Sequence, residues 1–170
     1  MMDVLGNLHE YLSAPKTVAT QQCMERSISD VFRLMFNLDV ALASEASPEN
    51  KEALCAHILL RHESATACVS LSVLRQTALL VAERAGIDVS KGASPSVLQD
   101  VVCEIVNIIA SAVRTFFSEK VGIRFEMSKI LLEKPEIASS SRARVINLDF
   151  KVNSDAVVRV SFACVSGALN

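Results

Sequence analysis

Four polar residues, Asp100, Glu104, Asn107 and Ser111, follow one another at spacings of four, three and four inside an otherwise apolar stretch. At about 100° per residue they share one side of a helix, and Arg114 and Ser118 prolong the same stripe, roughly 80° wide. Nearly everything outside the stripe is apolar: Val101, Val102, Ile105, Val106, Ile108, Ile109, Ala110, Ala112, Val113, Phe116 and Phe117. A long helix packed on a sheet must wet some edge, and Asp, Glu, Asn, Ser and Arg are what a wet edge contains. Asn107 invites a sharper reading. It is a poor helix former near mid-helix, where a solvated position more commonly carries Lys, Glu or Gln. An amide placed one turn after a carboxylate could be a chemical tool.

The stretch that must present these residues opens with Ser94-Pro95, an N-cap residue followed by proline at the first helical position. It closes at Gly122, where a left-handed residue is expected. The pattern predicts a helix of roughly eight turns over 94–122, buried on most of its circumference and showing one polar edge.

Length and composition bound what this helix belongs to. With 170 residues the chain is read as an N-terminal extension, 1–15, followed by a single domain, 16–170, long enough to bury a core without staples. Hydrophobic residues make up 51% of it, and the mean hydropathy is +0.35, which points to surface hidden in an oligomer. The net charge is −2 and there is no basic run, so nucleic acid is a poor candidate partner. The five cysteines, Cys23, Cys55, Cys68, Cys103 and Cys164, are widely spaced without a C-x-x-C pair. They read as small buried hydrophobes in a reducing compartment rather than as metal ligands. The first eleven residues lack a leader pattern and no uninterrupted apolar run reaches ~18 residues, so no membrane span and a cytoplasmic location are expected. There is no G-x-x-x-x-G-K-[ST] or G-x-G-x-x-G for a phosphate loop.

Along the chain, Met24, Ile28, Val31, Phe32, Met35 and Phe36 recur at helical spacing and predict a first helix over 17–37. Strands are expected at 39–44, 52–62 and 65–71, with a turn at Ser47-Pro48-Glu49-Asn50 and a tight connection at Glu63-Ser64. His57 and His62, five apart on one strand, must point to opposite faces and are read as structural, while His9 lies alone in the extension. A shorter helix is expected over 72–85, stopping at Gly86. After the 94–122 helix come a strand over 123–133, a loop over 135–141, and a hairpin whose arms run from Arg144 to Val152 and Val158 to Cys164, turning at Asn153-Ser154-Asp155. The chain thus repeats helix then three strands, over 17–71 and 94–165. A shift of 85 lays Phe32 on Phe117 and Leu38-Asp39-Val40 on Ile123-Arg124-Phe125. Glu104 and Asn107 then fall opposite Ala19 and Gln22, so any chemistry is one-sided. The fold class is α+β, two long helices on one face of a mainly antiparallel six-stranded sheet with a shorter helix between the halves.

The segment Asp100-x-x-x-Glu104-x-x-Asn107, in a long helix between two helix-plus-three-strand halves, resembles the CheC/CheX/FliY family of chemotaxis phosphatases. The likeness spans roughly residues 20–165, and a single E-x-x-N helix is more similar to the CheX branch. It implies an enzyme that docks on a phosphorylated, CheY-like receiver domain and hastens hydrolysis of its aspartyl phosphate. Glu104 and Asn107 are the implied catalytic pair, Glu104 meeting the receiver's active-site lysine and Asn107 holding the attacking water. Asp100 and Ser111 are implied docking supports. The chain then needs no cofactor or metal of its own, since Mg2+ belongs to the receiver. CheX-type relatives pair through their sheets, which implies a homodimer. The same likeness also allows a non-catalytic receiver-binding or flagellar-switch module, and a structural homodimer with a merely solvated stripe is a third reading.

Overall fold

The computed structural model describes residues 14–43, 53–90, 92–140, 142–152 and 156–166. The N-terminal segment before Ala14 with His9, the turns at Ser47-Pro48-Glu49-Asn50 and Asn153-Ser154-Asp155, and Lys91 lie outside the described residues. In chain order the elements are α1 (Ala14–Phe36), β1 (Val40–Leu42), β2 (Leu54–His62), β3 (Ala65–Val73), α2 (Arg75–Arg84), α3 (Pro95–Lys120), β4 (Glu126–Met127), a 3-10 turn (Glu136–Ser139), β5 (Arg144–Val152) and β6 (Ala156–Ser166). The six strands form one sheet in the order β1-β5-β6-β3-β2-β4, every neighbouring pair antiparallel. This is the expected α+β architecture.

Strand alternation decides which face the helices cover. Ala56, Ile58 and Leu60 of β2 are fully buried in one core with Ala67, Val69 and Leu71 of β3, Leu148 and Phe150 of β5, and Val158, Val160 and Phe162 of β6. Met24, Ile28 and Phe32 of α1 and the apolar side of α3 close that core from above. By length and composition α3 could cross a membrane, but in this fold its apolar side is the lid of the sheet.

The 85-residue correspondence is visible in the backbone. Asn37 adopts φ 51° and Leu38 N–H donates to Phe32 O at 3.1 Å; Gly122 adopts φ 77° and Ile123 N–H donates to Phe117 O at 3.2 Å. Both long helices therefore end in the same left-handed turn over a fully buried phenylalanine, with Asn serving in one where Gly serves in the other. The short strands that follow are exchanged. β1 pairs with β5, and β4 with β2, so each half completes the sheet of the other.

Several boundaries differ from the sequence reading. The strand expected over 123–133 shrinks to Glu126–Met127 plus a lone bridge between Leu131 and His57. Between them the hydroxyl of Ser128 replaces a ladder carbonyl, accepting from Leu59 N–H at 3.1 Å and donating to Lys129 O at 2.6 Å. β3 runs on to Val73, where a start of helix is expected, because Val73 pairs with both Leu54 and Val158 and is buried. α1 begins at Ala14, earlier than expected, with Pro15 in its first turn, where no backbone donor is needed. The loop over 135–141 contains a 3-10 turn that drops Ile137 onto the opposite face of the sheet, beside Leu59, Cys68, Ala163 and Val165.

Apart from Val145, much of the rest of that opposite face is polar. Arg159 donates from Nε and Nη2 to the two carboxylate oxygens of Asp149 at 2.7 and 2.9 Å, and Ser161 Oγ donates to Asn147 Oδ1 at 2.6 Å. His57 lies on this face, 2.8 Å from Ser70 Oγ through Nδ1, whereas His62 packs edge-on to Phe125 across the sheet, so the two histidines do point apart. Burial, and secondarily the charge of Lys134, lowers the pKa of His57 below its ordinary ~6.5. The unfolded chain then binds the proton more readily, so stability is complete above pH ~6.5 and falls as pH drops through the folded pKa. The urea midpoint of wild type is expected to fall more between pH 7 and 5 than that of His57→Gln. Parallel slopes would contradict this. Cys164, also buried, has its thiol pushed up to about 12 and stays protonated.

Candidate functional site

α3 is started by Ser94, whose Oγ accepts from Val97 N–H at 3.3 Å, and by Pro95 at the first position. Its buried residues Leu98, Val101, Val102, Ile105, Val106, Ile109, Ala110, Val113 and Phe117 span about half the circumference at ~100° per residue. The helix is fixed in rotation along its length. Near its start the Gln99 amide donates to Cys55 O at 2.9 Å, tying α3 to β2. Further along Ser111 Oγ donates to Met127 Sδ of β4 at 3.6 Å. At its end Phe117 stacks on Phe162 of β6 with ring centroids 5.5 Å apart and meets Phe125 edge-on at 5.6 Å.

With its rotation set, the helix turns the polar stripe outward. Asp100, Glu104 and Arg114 are exposed, while Asn107, Ser111 and Ser118 are half-buried. Glu104 and Asn107 are separated by roughly 4.5 Å along the axis and about 60° around it, close enough to meet one incoming group. Among the described residues neither side chain makes a hydrogen bond or ion pair, so both keep their full capacity for a partner. A carboxylate offers only acceptors, and the amide beside it offers two donors and an acceptor.

The open arc is wider than the stripe. Thr115 is exposed, and Ile108 and Ala112, expected among the buried apolar positions, are half-buried. Half the circumference is enough to roof the sheet, so the remainder stays accessible. On α1 the corresponding Ala19 is half-buried and Gln22 is exposed, leaving that helix without a carboxylate at the matching place. Among the described residues no group of three or more His, Cys, Asp or Glu is placed to hold a metal ion. Gln99, which helps fix the stripe's attitude, and Met127, which touches it at Ser111, carry no signal in sequence: one reads as a solvated helix residue and the other as an ordinary strand residue.

No protein-family model and no curated protein matches the sequence. Solved structures do match the fold. A CheC-like superfamily protein from Shewanella sp. PV-4 superposes with a TM-score of 0.68 at 16% identity, covering 85% of this chain and 96% of that one. The chemotaxis protein CheX from Vibrio vulnificus gives 0.65 at 14% identity, over 85% and 95% of the two chains. CheX in the CheX-CheY-BeF3-Mg2+ complex from Borrelia burgdorferi gives 0.61 at 17% identity, over 85% and 96%. At these identities the likeness is one of fold, and it extends over nearly the whole of each neighbour.

Proposed function

We propose that this chain, which has the CheC/CheX fold, lays the outward edge of α3 on a phosphorylated CheY-like receiver domain and hastens hydrolysis of its aspartyl phosphate. The observation that carries the reading is the attitude of Glu104 and Asn107. They stand together on the outward arc of a rigidly held helix, with no partner among the described residues. An edge of this kind can enter the active site of another protein. A CheX structure of the same fold is seen in complex with CheY, which supports a receiver as that other protein.

Little is asked of the side chains chemically. An acyl phosphate is labile, and its hydrolysis is helped chiefly by placing water in line and stabilising charge. Asn107 accepts from and donates to that water, holding it opposite the aspartyl oxygen. Water oxygen bonds to phosphorus, the bond from phosphorus to the aspartyl oxygen breaks, and the products are inorganic phosphate and the free carboxylate. Glu104 pairs with the receiver's lysine and fixes the approach, with Asp100 and Ser111 flanking it. The Mg2+ that neutralises the phosphoryl group is the receiver's.

The test is residual aspartyl phosphate on a panel of CheY-like receivers after addition of sub-stoichiometric protein. Accelerated loss with turnover supports the reading; binding without turnover replaces it with a non-catalytic receiver-binding module. Glu104→Ala removes one charge-assisted hydrogen bond of about 1.5–3 kcal/mol, so receiver binding is expected to weaken about tenfold or more and to lose part of its salt dependence. A homodimer joined at sheet edges belongs to the same proposal. β1 is a three-residue edge strand with Leu42 half-exposed, and scattering mass in solution reads the state directly.

A further inference from the structure

The polar stripe of α3 is met at Ser111 by a residue from outside the helix. Among the described residues β4 is the outermost strand of the sheet and pairs only with β2, Met127 standing opposite Leu60. Leu60 is fully buried, whereas Met127, on the same face, is half-buried at the sheet's rim. Its thioether accepts from Ser111 Oγ at 3.6 Å. Ser111 lies one turn beyond Asn107, so the thioether forms an apolar shoulder at the Ser111 end of the Glu104–Asn107–Ser111 stripe.

That contact is easily exchanged. A thioether sulfur is a weak acceptor, so the Ser111 hydroxyl loses little by turning to a stronger acceptor on a partner. Methionine is unbranched and repacks against surfaces of differing shape. The strand that carries it has two residues, and the ladder beyond it is interrupted at Ser128. Met127 packs against the core from the rim and is half-buried, as is Ser128 after it, while Glu126 before it is exposed, so part of the methionine is open to solvent.

We infer that Met127 is a specificity-determining contact of the docking surface. A receiver that presents its phosphorylated site to Glu104 and Asn107 must also lay an apolar side chain against the Met127 thioether and give Ser111 an acceptor. This rests on the receiver-docking function proposed above and adds which receivers fit: those with an apolar residue bordering the phosphorylation site.

The test uses the full chain as wild type, Met127→Leu and Met127→Lys, titrated with a panel of CheY-like receivers loaded with Mg2+ and the phosphoryl mimic beryllofluoride. Met127→Lys is expected to raise Kd about tenfold for receivers with an apolar neighbour, which is a change of about 1.4 kcal/mol. It should spare receivers with an acidic neighbour, and so reverse the order of preference. Met127→Leu should restore the wild-type order. With acyl-phosphorylated receivers the loss should fall on KM more than on kcat. Equal Kd values for wild type and Met127→Lys across receivers that wild type does bind would overturn this inference alone. A uniform weakening with a lowered melting temperature would also overturn it, because it would reflect general damage to the sheet edge. If wild type bound no receiver, the docking function itself would fall and this inference with it.

Discussion

Asn107→Ala is expected to slow hydrolysis of a receiver's aspartyl phosphate by about 100-fold or more relative to wild type, the usual consequence of removing one positioning or charge-stabilising group. Alanine is the best helix former, and Asn107 makes no side-chain hydrogen bond among the described residues, so the substitution leaves α3 intact and its melting temperature unchanged or raised. The loss would fall on kcat, since water is positioned only once the complex has formed. Asn107→Gln provides the contrast. It keeps donor and acceptor but moves them by one methylene, and a displacement of about 1 Å is enough to lose roughly 100-fold. An alanine variant as active as wild type would remove the amide from the mechanism.

Phe117→Ala should have the largest effect on stability. The ring is fully buried, stacks on Phe162 with an interplanar angle of 17°, and meets Phe116 and Phe125 edge-on, each at 5.6 Å. It ties the end of α3 to the following segment and to the central strand β6. Its carbonyl also accepts the N–H groups of Val121 and Ile123 that close the helix. Emptying such a site costs about 3–5 kcal/mol. For a chain of this size that is a fall in melting temperature on the order of 10 °C. Urea or thermal unfolding measures it, and Phe117→Leu should recover more than half. A loss below about 1 kcal/mol would mean that α3 is anchored elsewhere, since that is a surface-sized effect.

Much of this was legible in the residues. Ser94, Pro95 and Gly122 marked the long helix because capping is a local matter of one hydroxyl, one ring and one left-handed residue. The shift that paired Phe32 with Phe117 located two equivalent helix ends, since the same hydrogen bond closes both. Alternation identified the faces of β2, β5 and β6. What stayed hidden depends on distant partners. β4 is short because Ser128 and Leu131 bond to β2, some seventy residues earlier in sequence, and no local pattern encodes that interruption. The exchange of β1 and β4 between halves is likewise a property of the assembled sheet. The 3-10 turn rests on a single buried residue, Ile137, which looks like any loop isoleucine. For the site, the stripe gave Asp100, Glu104, Asn107 and Ser111, but periodicity could not show that Glu104 is exposed and Asn107 half-buried, nor that Met127 meets Ser111.

The most direct measurement is to label the protein with 15N and record which amides shift when a beryllofluoride-loaded CheY-like receiver binds. Perturbations running along the outward arc of α3, through Asp100, Glu104, Asn107 and Ser111 and across to Met127, are predicted. Shifts confined to the opposite face of the sheet, around His57, Ser70, Asn147 and Ser161, would contradict the proposal that α3 carries the site.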